Sequence, residues 1–154
     1  MGGSDCPPDL YEETFRIARD LAAAGFAILC GGGSGVMEAA AHGAREAGGV
    51  TIGIMPGSNA RESRPNAWIQ IPIYTGLGDA RNAVNVRSAD IVVAVGGAYG
   101  TLSEIALALK IGKPVIGYRT WDLSDPPQGP PGAFRRAATP EEAVLTVRRL
   151  SGNP

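Results

Sequence analysis

A chain of 154 residues fits one domain over 1–154, and at 44% hydrophobic it has material for a sizeable core, so no second domain is expected. Fourteen basic against fifteen acidic side chains leave a net charge of −1, which supplies no general field for nucleic acid or an anionic membrane; any anion must be held locally. Cys6 and Cys30 without CxxC spacing, a lone His42, no signal-peptide start and no apolar run near the roughly 18 residues of a membrane span exclude a zinc site, a disulfide framework and a spanning helix, and fit a cytoplasmic protein.

Leu10, Thr14, Ile17 and Leu21 recur at helical spacing with Gly25 as a stop, which predicts a helix over 8–24. Phe26 to Cys30 is a short apolar strand running into Gly31-Gly32-Gly33-Ser34-Gly35, and Val36 to Ala47 is an alanine-rich helix ended by Gly48-Gly49. Val50 to Met55 is the next strand, 58–66 its polar loop, and Trp68 to Ile73 a further strand. Gly78 to Ala89 reads as a helix, and Asp90 to Val95 as a strand buried on both faces. Gly96-Gly97-Ala98-Tyr99-Gly100 turns into a helix over 101–110, and Pro114 to Tyr118 is another strand. The proline-rich 119–138 is expected as a loop, rim or lid. Thr139-Pro140-Glu141-Glu142 then starts a terminal helix to about Leu150. Strands alternating with helices give an α/β fold: a Rossmann-like, doubly wound parallel sheet in three α/β/α layers.

Both glycine-rich turns lie after a strand and before a helix, where free N–H groups and the positive helix end favour an anion. The first is not the dinucleotide fingerprint, because Val36 stands where GxGxxG needs glycine; the second is not a P-loop, because no GK[ST] closes it. One such turn is as well explained by tight packing against the sheet, whereas two in a small chain favour a ligand.

Gly31-Gly32-Gly33-Ser34-Gly35-Val36-Met37-Glu38-Ala39-Ala40, with Gly43-Ala44, resembles the GGGxGxMEAA…GA segment of the LOG (Lonely Guy) family, and Gly100-Thr101-Leu102-Ser103-Glu104 resembles the end of its PGGxGTxxE signature. Arg81, nine residues before Asp90, falls where that family has the arginine of its RK…D segment, with Asn82 in place of the lysine. The resemblance implies a phosphoribohydrolase that releases a free base, typically a cytokinin, and ribose 5-phosphate from a nucleoside 5′-monophosphate. Arg81 and Glu104 would be its catalytic pair, and Gly32, Gly33, Ser34, Gly35, Gly97, Gly100 and Thr101 its phosphate and ligand cradle. A carboxylate suits the positive charge that develops on the ribose, and a guanidinium suits phosphate or sugar oxygens. Glu104 also fits a capping box with Thr101, and Arg81 a solvated helix face; Glu38 reads as a dipole partner, His42 as packing, and Tyr99 as either a stacking ring or a turn filler.

The chain departs from the LOG pattern in two places. Gly96-Gly97-Ala98 replaces Pro-Gly-Gly, so a Cβ stands at a glycine position, costing about 1 kcal/mol if φ there is positive. With Thr75-Gly76-Leu77-Gly78 and Arg81-Asn82, this variant resembles a short branch similar to molybdenum-cofactor carrier proteins, which bind a phosphorylated pterin without transforming it. The alternative is therefore a non-catalytic carrier or a nucleotide-sensing protein. Either way the partner is a phosphorylated nucleoside or pterin, with no nucleic acid, membrane, metal or resident cofactor; Lys110 and Lys113 offer no pyridoxal site. The resemblance also implies a homo-oligomer, a dimer or a tetramer. The second departure is at the start: Gly2-Gly3-Ser4-Asp5 follow Met1 directly where an apolar strand would stand, so the first strand is expected to be missing and its neighbours to close up or take a partner.

Overall fold

The computed structural model describes residues 1–121, 123 and 134–152. In chain order it forms α1 (Pro8–Ala23), β1 (Ile28–Cys30), α2 (Val36–Glu46), β2 (Thr51–Met55), β3 (Ile71–Tyr74), a 3-10 turn (Gly78–Ala80), α3 (Arg81–Ser88), β4 (Val92–Val95), α4 (Tyr99–Lys110), β5 (Val115–Tyr118), β6 (Phe134–Ala137) and α5 (Pro140–Ser151). All strand pairs are parallel, in the orders β1-β2-β3 and β4-β5-β6. The doubly wound α/β expectation is met.

Period-two alternation assigns the two faces of the β4–β6 half. Val92, Ala94 and Val115 point to a core completed by Val86 of α3 and by Ile105 and Ala108 of α4. Val95, Ile116 and Tyr118 point the other way, onto Leu10, Ile17 and Leu21 of α1, Val36 of α2, and Ala143 and Val147 of α5. The sheet therefore lies between α1, α2 and α5 on one face and α3 and α4 on the other.

Among the described residues the strands form two three-stranded sheets whose facing edges, β1 and β4, are not paired. Met1 and Gly2 lie along the β4 edge: the Met1 amino group donates to the Val93 carbonyl (2.7 Å), Val95 N–H donates to the Met1 carbonyl (2.9 Å), and Gly2 forms a parallel bridge to Val95. β1 and β4 do not pair with each other, so the neighbours have not closed up.

Several expectations shift, most by one or two residues. The strand expected over 68–73 begins later, at Ile71, because the Trp68 ring stacks on His42 at 3.9 Å and its carbonyl accepts from Thr51 Oγ1. α4 begins at Tyr99 rather than Thr101. β6 lies inside the stretch expected as loop, while residues 122 and 124–133 of that loop fall outside the described ones.

Candidate functional site

After β4 the chain passes through Gly96 (φ 51°) and Gly97 (φ 89°) and enters α4 with Ala98 as the N-cap. Positive φ suits glycine, and a Cβ on Gly97 would also run into the Thr101 side chain. Ala98 itself has φ −106°, which any L-residue adopts, so the strain expected at this departure does not arise. No side chain caps α4, and no acceptor among the described residues takes the N–H groups of Tyr99, Gly100 and Thr101. Thr101 sits inside the first turn and Glu104 a turn later, so the two do not form the capping box that was the other reading.

Glu104 is instead a buried side chain, 5% exposed, whose Oε1 accepts from Asn85 Nδ2 at 3.0 Å. Asn85 is fully buried on α3, and its Oδ1 has no hydrogen-bond partner among the described residues. A second contact joins the same helices: Asn82 Nδ2 donates to Ser103 Oγ (3.1 Å), which donates to the Gly100 carbonyl (2.7 Å). Asn82, expected only as a replacement for lysine, thus braces the turn.

Arg81 is the first residue of α3 and half-buried, with its guanidinium lying against Gly31 of the first glycine turn. It forms no ion pair with any described carboxylate. A cavity of about 480 Å³ brings Arg81, Gly97, Gly100, Thr101 and Glu104 together.

Gly32, Gly33, Ser34 and Gly35 do not line that cavity. Their turn is taken up by the protein: Gly32 (φ 72°) leaves room for Met55, Gly35 (φ 68°) packs against the carbonyls of Gly3 and Ser4, and Asn66 Nδ2 donates to the Gly33 carbonyl at 2.8 Å. The first N–H of α2, on Val36, donates to the Gly3 carbonyl at 3.0 Å. The N-terminal loop caps the first turn and then joins the second: Gly2, Gly3, Ser4 and Asp5 line the cavity, as does Asp79. These five were missed. The glycine-serine loop after Met1 was the available signal, but its place depends on the Val95 bridge, a contact distant in sequence.

Tyr99, 79% exposed, lies beside Trp121 with ring centroids 5.6 Å apart, and Trp121 Nε1 donates to the Ala98 carbonyl at 3.2 Å. Burial pushes the Cys30 thiol, near the first turn, above the ordinary range, which disfavours the thiolate form. Among the described residues no cluster of His, Cys, Asp and Glu has a metal-binding arrangement, and no helix is long and apolar enough to cross a membrane.

This arrangement offers uncapped N–H groups and an unpaired guanidinium to an anion, and the carboxylates of Asp5, Asp79 and Glu104 to hydrogen-bond donors. The sequence profile of the SLOG cluster4 family matches residues 1–144. The chain belongs to the SLOG cluster4 family. Within reach of it, a protein of Archaeoglobus fulgidus is 40% identical over 144 residues, 94% of this chain and 89% of that protein. The structure of a molybdenum cofactor binding protein from Rippkaea orientalis is similar at a TM-score of 0.85 and 36% identity, covering 97% of this chain and 92% of that one. The molybdenum cofactor carrier protein of Chlamydomonas reinhardtii is similar at 0.82 and 34%, covering 99% and 94%. The comparisons thus show the SLOG cluster4 family, with molybdenum-cofactor proteins among the structural neighbours, and not the LOG family itself.

Proposed function

We propose that this SLOG protein binds a phosphorylated pterin of the molybdenum-cofactor kind and holds it without transforming it. The observation that carries the reading is the meeting of Arg81, free of any described ion pair, with the uncapped start of α4 in one cavity. Guanidinium and helix N–H groups suit a phosphate, while Asp5, Asp79 and Glu104 suit the amino and ring N–H edge of a pterin. The similarity to molybdenum-cofactor binding and carrier proteins along nearly the whole chain favours this ligand over a nucleoside 5′-monophosphate. In this reading Gly97, Gly100, Thr101 and Arg81 hold phosphate and Glu104 is a ligand rather than a base. A cytoplasmic homo-oligomer, dimer or tetramer, belongs to the same proposal.

The test is calorimetric titration with molybdenum cofactor beside an assay for free base released from nucleoside 5′-monophosphates. Binding without base release is expected, and Arg81→Ala should weaken it about 10- to 100-fold, the worth of a charge-assisted bond, at an unchanged melting temperature. Base release abolished by Glu104→Gln in a folded protein would overturn the carrier in favour of the phosphoribohydrolase.

A further inference from the structure

The second glycine turn is held from behind by the residues that follow β5. Gly96 N–H donates to the Tyr118 carbonyl at 3.2 Å, which carries the β4–β5 ladder one residue beyond Val95. Thr120 Oγ1 donates to the Gly96 carbonyl at 2.6 Å. Trp121 Nε1 donates to the Ala98 carbonyl at 3.2 Å, and that carbonyl also accepts from Leu102 N–H at 3.0 Å. Neither Thr120 nor Trp121 lines the anion cavity, whereas Gly97, Ala98, Gly100 and Thr101 do. The two side chains thus grip one side of the turn and leave the other side to the cavity.

A trans peptide is planar, with its C=O and the following N–H pointing in opposite directions. Fixing the Gly96 carbonyl on Thr120 therefore aims the Gly97 N–H away from Thr120, and fixing the Ala98 carbonyl on Trp121 aims the Tyr99 N–H away from Trp121. Neither N–H has an acceptor among the described residues. Trp121 is itself packed on the core of Val92, Ile105 and Val115, so its grip is anchored in the sheet.

Arg119 sends residues 120 and 121 back onto the turn. Its φ of 48° is left-handed, the sole such value at a non-glycine residue among the described ones, and an arginine is strained there. α1 holds its guanidinium: Arg119 Nη1 donates to Asp9 Oδ2 and to Glu13 Oε2, both at 2.7 Å. With 42% of the Arg119 side chain exposed, these pairs add little to overall stability. Their effect is local: they offset the left-handed conformation and fix the direction in which the chain leaves β5.

We propose that Arg119, Thr120 and Trp121 are positioning residues for the anion site. The ion pairs of Arg119 with Asp9 and Glu13 set the turn out of β5, and Thr120 and Trp121 then aim the Gly97 and Tyr99 N–H groups at the phosphate. This role rests on the phosphate end of the proposed function and is independent of what the phosphate carries.

The test is an NMR titration with inorganic phosphate, read at the Gly97 and Tyr99 amides, for the wild type and for Thr120→Val, Thr120→Ser and Arg119→Gly. Valine keeps the branched shape without the hydroxyl, serine restores the hydroxyl, and glycine accepts the left-handed conformation but has no guanidinium. Thr120→Val and Arg119→Gly, folded by circular dichroism, should each bind phosphate about 3- to 10-fold more weakly, the worth of one hydrogen bond, with Thr120→Ser within about twofold of wild type. Wild-type affinity in Thr120→Val or Arg119→Gly overturns the proposal, as does a Thr120→Ser variant as weak as the valine one. A wild type whose Gly97 and Tyr99 amides do not respond to phosphate overturns it too. The expected phosphate pattern in a protein that does not take up molybdenum cofactor would sink the carrier reading alone and leave the positioning role standing.

Discussion

Asn85 determines how Glu104 exists in the fold. A carboxylate 5% exposed needs a donor, and the Asn85 amide supplies one at 3.0 Å without adding charge. Asn85→Asp would put a second carboxyl in the same buried place, where the two cannot both ionise, so one carboxyl pKa must rise above its unfolded value. The sign follows: between ordinary carboxylate pH and the raised pKa the folded variant binds more protons than the unfolded chain, so its stability falls as pH rises through that window. Relative to wild type, the variant should lose about 1–3 kcal/mol more at pH 8 than at pH 4, measured by urea unfolding at both. An equal loss at the two pH values would show that Glu104 does not share the site's charge with position 85. Arg81, Gly97, Gly100, Thr101 and Glu104 were legible because each lies in a motif read along the chain. Asp5 was not, because the N-terminal loop that carries it to the cavity is distant in sequence from both motifs, and Asp79 was not, although it stands two residues before Arg81 in the turn that opens α3, because no motif included it.

At the scale of elements, the starts of α5, α2 and α4 show different solutions to the same problem of orphan N–H groups. α5 uses its own side chains: Glu142 N–H donates to Thr139 Oγ1 at 3.2 Å, and Glu142 Oε2 accepts from Ala138 N–H at 2.7 Å. Local chemistry of that kind is visible in sequence, and Thr139-Pro140-Glu141-Glu142 placed this start correctly. α2 borrows the Gly3 carbonyl, which no local pattern reveals, and α4 is left open at the cavity. Thr139→Ala should therefore cost about 1 kcal/mol and lower the melting temperature by about 2–4 °C, with Thr139→Ser close to wild type. Differential scanning calorimetry of the two variants checks it, and a Ser variant as unstable as Ala would count against capping as the cause. β6 escaped the sequence reading for an opposite reason. Among the described residues Phe134-Arg135-Arg136-Ala137 pairs only on its β5 side; it exposes both arginines, and charge is what an edge strand carries to avoid pairing further.

Over the whole molecule, the question is what joins two three-stranded sheets whose facing edges do not pair. α1 is the answer the packing gives. Its Leu10, Ile17 and Leu21 enter the core of β4 and β5 with Val95 and Ile116, while Ile28 of β1 packs onto that same core. On its other flank α1 meets α2 closely enough that a Cβ on Gly43 would strike the Phe15 backbone, so α2 follows any movement of α1. The helical spacing predicted α1, but not its clamping role, which depends on the divided sheet beneath it. Ile17 is 3% exposed, and truncating such a side chain costs about 2–5 kcal/mol. If α1 is the clamp, Ile17→Ala should spread that loss evenly: amide protection should fall by a similar factor in β2 and in β5, and unfolding should remain a single transition by calorimetry and circular dichroism. Loss confined to the β4–β6 half, with β2 still protected as in wild type, would mean that the two half-sheets fold as separate units and that α1 belongs to only one of them.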